Sequence, residues 1–221
     1  CWDMHGFNRL GGNSLAETVV AGGIIGRKIA EFLQGHDVKI DSRLAREAVL
    51  AQKDRIAALI ERRNGRENVY EVRNAMQEAL MDGCFVFRNG KDLEKCVETL
   101  KEVYERAGKV GLRSDGKGAN YEVSSALKIK GQVKLALCIA TAALARTESR
   151  GSHTREDYPE RNDREWLTRT LAYWPEGADM PDLKYEDASP VFELPPGERG
   201  YGGGKIITAD AAFIEERTIK R

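Results

Sequence analysis

Asp92-Leu-Glu-Lys-Cys-Val-Glu-Thr-Leu-Lys-Glu-Val-Tyr-Glu-Arg106 is the stretch that decides the fold. Leu93, Cys96, Val97, Leu100, Val103 and Tyr104 recur at three- and four-residue steps, which gathers them on one face of a helix. A face of that kind has to be buried against others like it, and the neighbouring sequence supplies them. Upstream, Val69, Val72, Met76 and Leu80 give a helix beginning near Asn68, interrupted at Asp82-Gly83. Before it, Asp41 can cap a helix over 42–63, with Leu44, Ala48, Ala51, Ile56 and Leu59 roughly in phase. Downstream, 121–146 is dense in apolar residues, among them Val133, Leu135, Leu137, Ile139 and Leu144. The connections are a short apolar insert, Cys84-Phe-Val-Phe87, before Asn89-Gly90, and a basic, Gly-rich run over 108–118. Residues 41–147 therefore read as an antiparallel helical bundle, spectrin-repeat-like in plan.

Both flanks differ in texture. Residues 1–12 are loop-like, and Ser14-Leu-Ala-Glu17 fits a capping box opening a helix to about residue 33, which Gly35 stops. Beyond Glu148 the chain is charged and aperiodic. Strand-like pieces at 167–174 and 183–185, joined across Pro175 and Pro181, predict a β-hairpin. Residues 188–205, rich in Pro and ending in Gly200-Tyr-Gly-Gly-Gly204, read as extended surface chain. The predicted class is mainly α, with a short hairpin and an extended C-terminal tail.

Composition narrows the function. Thirty-five basic and 35 acidic residues cancel, which argues against nucleic acid or an acidic membrane surface as partner. No apolar run approaches the roughly eighteen residues of a membrane span. Residues 18–26 come nearest and are flanked by Glu17, Arg27 and Lys28. Cys1, Cys84, Cys96 and Cys138 show no metal-ligand spacing and suggest a reducing compartment. No metal site is expected. The chain begins at Cys1 inside a Gly-rich, motif-dense stretch, so it is expected to continue a longer polypeptide.

That first stretch, His5-Gly-Phe-Asn-Arg-Leu-Gly-Gly-Asn-Ser-Leu-Ala-Glu17, holds the chemistry. It sets Arg9 and two glycines just before a helix N-terminus, whose outward N–H groups and dipole favour an anion or an electron-rich ring. Arg9 adds a planar fork suited to a carboxylate. The bland alternative is a tight turn into an ordinary helix, with Arg9 in a structural ion pair. A second dense stretch, Glu148-Ser-Arg-Gly-Ser-His-Thr-Arg-Glu-Asp-Tyr-Pro159, surrounds His153 with charge. It reads as an ion-pair cluster fastening the tail to another domain or a partner, in preference to an acid–base centre. His36 reads as solvated surface; Phe85, Phe87, Trp166 and Trp174 read as core or interface packing.

Both stretches resemble the flavoprotein subunits of succinate dehydrogenases and fumarate reductases. The first is similar to that family's His-Gly-Ala-Asn-Arg-Leu-Gly-x-Asn-Ser-Leu pattern, with Phe7 where alanine is usual, a departure compatible with the quinol:fumarate reductase branch. The second is similar to its Glu-Ser-Arg-Gly-Ala-His-x-Arg-Glu-Asp-Tyr-Pro block. The resemblance covers nearly the whole chain.

It implies that Arg9 binds a carboxylate of the dicarboxylate substrate and that His5 lies in the same loop. Main-chain groups of Ser14 and Leu15, with Asn13 beside them, would lie against the pyrimidine end of FAD. Residues 1–40 would be the end of an α/β FAD-binding domain, 41–147 the bundle, and 148–221 a tail region with the hairpin. The family's flavin-attaching histidine, proton-delivering arginine and two further substrate histidines have no match among these residues. The stretch alone is therefore expected to hold no catalytic residue, to bind no FAD and to be inactive. The implied partners are an iron–sulfur subunit and a quinone-reactive membrane anchor, which would hold the protein peripherally at the cytoplasmic face of the inner membrane. L-Aspartate oxidase shares shorter forms of both motifs, but the Arg155-Glu-Asp157 continuation and the 170–174 strand favour the respiratory branch. A helical interaction module without chemistry is the alternative from another class.

Overall fold

The computed structural model describes residues 5, 11–36, 39–62, 65–114 and 118–188. The helices begin where short polar side chains can cap them. Asp41 opens α2 (Ser42–Glu61), accepting from the amides of Arg43 at 2.8 Å and Leu44 at 3.3 Å. Asn68 does the same for α3 (Val69–Gly83), Asn89 for α4 (Gly90–Ala107) and Asn120 for α5 (Tyr121–Ala145). Each such cap is worth about 1 kcal/mol. Helix α1 (Asn13–Gln34) departs from its predicted capping box. Gly12, left-handed at φ 79°, is its N-cap, and no side chain caps it. Gly12 O takes the amides of Leu15 and Ala16, both at 3.1 Å.

Helices α3, α4 and α5 hold the core. Val72, Leu93, Leu100, Val133 and Leu137 lose all exposure, and Ala136, Ala140 and Ala143 let α5 approach closely. Neighbouring helices run antiparallel. At one end, a Cβ on Gly83 would lie 2.5 Å from Asp92 O and 2.6 Å from the Cβ of Cys96, so the close of α3 needs glycine to pass the start of α4. At the other, Arg106 of α4 grips Glu67, just ahead of α3, through two hydrogen bonds of 3.0 Å.

Two expectations need correction. Helix α2 is less a bundle member than its phasing predicts: only Leu59 is buried, while Leu44, Val49 and Leu50 stay exposed. It is moored near its end, where Arg55 donates to Leu127 O and Arg62 to Gly108 O, both at 2.8 Å. Of the core or interface packing expected for Phe85 and Phe87, the core alternative fails, because both are exposed. The insert that carries them forms strand β1 (Phe87–Arg88), which pairs in parallel with β2 (Thr154–Arg155). The hairpin is present as β3 (Thr168–Tyr173) and β4 (Asp182–Asp187), with Arg169 and Glu186 paired across it at 2.9 Å. Its Trp174 packs on Tyr104 of α4, ring centroids 5.5 Å apart. A short helix, α6 (Asp163–Trp166), precedes it. The extended run predicted over 188–205 lies, from residue 189 on, outside the described residues.

The basic connection after α4 is threaded through the fold, not draped over it. Val110, Gly111 and Leu112 are buried, and Gly111 N–H donates to Glu67 O at 3.2 Å. Glu122, at the start of α5, is buried and holds the amides of Arg113 and Ser114. Where the chain passes itself, a Cβ on Gly65 would sit 2.6 Å from Gly111 Cα, and one on Gly111 would strike Arg62 O and the Gly65 backbone. Gly131, within α5, has open space around it. Gly111→Ala should therefore destabilise the chain by about 1–3 kcal/mol, the range for forced overpacking. Gly131→Ala should stabilise it by about 1 kcal/mol, because alanine is the better helix former. Urea midpoints at unchanged slope distinguish the two.

Candidate functional site

Two constellations flank the bundle. At the N-terminal end, Arg9 lies outside the described residues. His5, Asn13, Ser14 and Leu15 are described. Leu15 is 72% exposed, and α1 has no buried residue at all. Gly12 O occupies the Leu15 amide, so the first-turn amides that it does not take are those of Asn13 and Ser14. Glu17, predicted to reach back to Ser14, instead meets His5: Nε2 lies 2.7 Å from Glu17 Oε2. With Gly12 as N-cap, Ser14 lies inside the helix and cannot form the capping box with Glu17.

At the C-terminal end of α5 the charged block folds into a closed network. The Glu148 carboxylate has no exposed surface and is satisfied on both oxygens. Oε1 accepts from Arg146 and from Arg150 Nε, each at 2.7 Å. Oε2 accepts from Arg150 Nη2 at 3.0 Å and from the Asn162 amide at 2.7 Å. Arg146 also stacks on Trp166 and donates to Trp166 O, Thr168 O and Thr170 Oγ1, which fixes the hairpin to the helix end. The tight turn at Arg150–His153 passes through a left-handed Gly151, φ 61°.

Arg155, 2% exposed, crosses from this turn to both helices. Its Nη1 donates to Ala143 O, Leu144 O and Arg146 O, the open carbonyls at the end of α5. Its Nε and Nη2 hold Asp157 in a two-pronged pair at 2.7 Å each. Asp157 in turn accepts from the Gly90 amide, at the start of α4, at 2.8 Å. A cation thus sits at one helix's negative end and an anion at another's positive end. The Arg155 hydrogen bonds hold the Asp157 carboxyl down at about 2; partial burial opposes them, and the Gly90 amide assists.

His153 uses both ring nitrogens. Arginine can only donate and a carbonyl only accept. Nδ1 therefore accepts from Arg88 at 2.8 Å, and Nε2–H donates to Arg146 O at 3.2 Å. Burial, chiefly, lowers its pKa below 6.5. The bond to Arg146 O opposes this, and the charges of Arg88, Arg146 and Arg155 add to it. A neutral imidazole with both edges engaged fastens the structure. Within this chain the block joins the tail to α4 and α5. Burial likewise pushes up the thiols of Cys84, Cys138 and Cys96, the last to about 12 with Cys84 and Asp82 adding to it, which disfavours their thiolates. His36, exposed, stacks on Phe32.

The family described as fumarate reductase flavoprotein C-term matches residues 73–201, from within α3 through α4, α5, the charged block and the hairpin. The chain belongs to that family. It is 44% identical over 204 residues to the fumarate reductase flavoprotein subunit of Helicobacter pylori, covering 91% of this chain and 28% of that protein. It is 33% identical to the Escherichia coli subunit of the same name, over 99% of this chain and 35% of that one. The succinate dehydrogenase flavoprotein subunit of Bacillus subtilis is 30% identical over 93% of this chain and 35% of its own length. Among solved structures, the FrdA chain of an E. coli quinol fumarate reductase variant superposes with a TM-score of 0.80 at 31% identity, over 90% of this chain and 34% of that one. The chain thus spans about a third of the length of the curated relatives it matches. It corresponds to the C-terminal part of flavoprotein oxidoreductase subunits. No described helix is long and apolar enough to cross a membrane.

Two outcomes follow from the charged block. Glu148→Ala would remove the fully buried carboxylate between Arg146 and Arg150, leaving Arg146 its carbonyl bonds and Arg150 its pair with Asp163, and should cost about 3–5 kcal/mol, as breaking a buried pair does. The unfolded chain protonates His153 near 6.5, whereas the folded chain resists until lower pH. That contribution is complete above about 6.5 and declines as pH falls below it. In His153→Gln the amide can make the same two bonds without titrating, so between pH 7.5 and 5.5 its urea midpoint should fall less than the native one. Asp157 acts in a separate window, with its contribution present above about 3.8 and lost toward 2.

Proposed function

We propose that this chain is the C-terminal part of a flavoprotein subunit that interconverts fumarate and succinate with FAD. Electrons would pass through an iron–sulfur subunit to or from a quinone at a membrane anchor. The observation that carries the reading is the 44% identity to a fumarate reductase flavoprotein subunit along 91% of the chain. In this arrangement residues 1–40 close the FAD-binding domain, 41–147 form the helical domain and 148–221 the tail region. The apolar side of α1, including Val19, Ile29 and Phe32, packs on the preceding domain; its exposure here supports that assignment. The subunit is peripheral at the cytoplasmic face of the inner membrane, held there by its partners.

The residues present suit the flavin. Gly12 opens α1 without a side-chain cap, so its first-turn backbone is clear of its own side chains at the end where the dipole favours negative charge. Asn13, Ser14 and Leu15 would line the pyrimidine edge of the ring there, held by the Asn13 and Ser14 amides, since that of Leu15 is taken by Gly12 O. Bound FAD supplies two-electron hydride chemistry. Arg9 binds one substrate carboxylate with its planar fork, and His5 belongs to the same loop. Holding a carboxylate by two parallel hydrogen bonds fixes the orientation of the carbon–carbon bond to be reduced or oxidised.

In the intact subunit, Arg9→Lys should cut fumarate turnover although the charge is kept, because an ammonium cannot reproduce the fork. The lost bond is worth about 1.5–3 kcal/mol, roughly a ten- to hundredfold loss in kcat/KM. Flavin content should stay near normal. Normal turnover per flavin together with lost flavin would make Arg9 a cofactor or structural residue instead.

A further inference from the structure

Helix α2 is moored to α5 near its own end. Arg55 donates to Leu127 O at 2.8 Å, and Leu59, one turn on, is buried. Further along, Arg62 donates to Gly108 O and its carbonyl lies against Gly111, while Glu122, at the start of α5, holds the Arg113 amide. The two helices therefore run antiparallel, α2 ending where α5 begins. Residues three and four apart share a helix face. The α2 face that bears Leu59 and Arg55 continues back through Ala51, Ala48 and Leu44, and the α5 face that bears Leu127 continues through Gly131, Leu135 and Cys138. Both continuations are uncharged, and both are open. Ala48 and Ala51 are exposed, Leu44 is 55% and Leu135 62% exposed. A Cβ on Gly131 would meet nothing within 4 Å, so α2 has left α5 one turn beyond the mooring. The stripes also match in register. Leu44 lies eleven residues before Arg55, and Cys138 eleven residues after Leu127. At about 1.5 Å per residue, each stands about 16 Å from the mooring.

We propose that α2 is a strap that closes on α5. Turning about its mooring, its first half lays Ala51 along Gly131, Ala48 beside Leu135 and Leu44 against Cys138, and so completes a four-helix bundle. The structure holds the open form. Two alanines and a glycine on the facing stripes let the helix axes approach, and closure takes the exposed leucines out of water. The occupant of the α5 stripe is thus a segment of this same chain, already seated at one end of it. Because α2 stands between residues 1–40 and the bundle, its swing sets how the N-terminal segment is carried relative to α3, α4 and α5. The inference concerns α2 and α5 alone and is independent of the roles given to Arg9 and the flavin.

The experiment uses the full-length holo-subunit carrying Leu44→Cys, which sets a thiol across from the native Cys138 when the strap is closed. A disulfide requires Cα atoms within about 7 Å, so the cross-link reports closure. Treated with the thiol oxidant diamide, the variant should link to Cys138, as peptide mapping identifies, and adding Cys138→Ser should abolish that bond. Leu50→Cys, on the other side of α2, should not link to Cys138. Adding Leu135→Asp to Leu44→Cys should slow the linking roughly tenfold or more, because closure would bury an unpaired carboxylate. Tm should stay near native in Leu135→Asp, since the open form leaves that position in water. No bond between the Leu44→Cys thiol and Cys138, an equal bond from Leu50→Cys, or a rate that Leu135→Asp leaves unchanged would each overturn the proposal.

Discussion

The Arg155 guanidinium carries more of this architecture than any single apolar contact. Desolvating a cation is expensive unless its donors are used, and here Nη1 closes three carbonyls at the end of α5 while Nε and Nη2 grip Asp157. Asp157 then satisfies an amide at the start of α4. One ion pair thereby ties the ends of two antiparallel helices to the returning tail and completes their dipoles. Remaining neighbours follow from that placement. With Arg155 fixed, β2 lies beside β1, and His153 is brought between Arg88 and the carbonyl of Arg146, where only a neutral ring fits.

Glu148 plays the complementary part on the far side of the turn. Its carboxylate gathers Arg146, Arg150 and the Asn162 amide, and Arg146 passes the connection on to the hairpin. The block is therefore a fully paired polar joint beside an apolar three-helix core. Buried charges of this kind specify a geometry more than they add stability, because any half-satisfied alternative is costly.

The opposite end of the chain is organised differently. Helix α1 buries none of its residues, and α2 buries one. Leu15, Val19, Ile29 and Phe32 are apolar yet exposed. What the N-terminal segment retains is local: a left-handed glycine, an uncapped helix start and the His5–Glu17 pair.

Helix positions were legible in the sequence because their causes are local. Asp41, Asn68 and Asn120 cap through bonds to amides two or three residues away, and the apolar face of α4 is a matter of periodicity. The hairpin was legible for the same reason. The His5–Glu17 stretch and the Glu148 block were recognisable as motifs, and their arginines as carboxylate partners. Tertiary structure alone decided which carboxylate each arginine of the Glu148 block met. Ser14-Leu-Ala-Glu17 has the spacing of a capping box, but the helix starts at Asn13 behind a Gly12 N-cap, so Ser14 lies inside it and Glu17 meets His5. The Gly65–Gly111 crossing, the β1–β2 pairing and the Asp157–Gly90 bond, sixty-seven residues apart, likewise carry no signal in any short window. Each depends on where the chain returns after its helices have packed. The sequence states which groups must find partners, and the packed helices determine which partners are within reach.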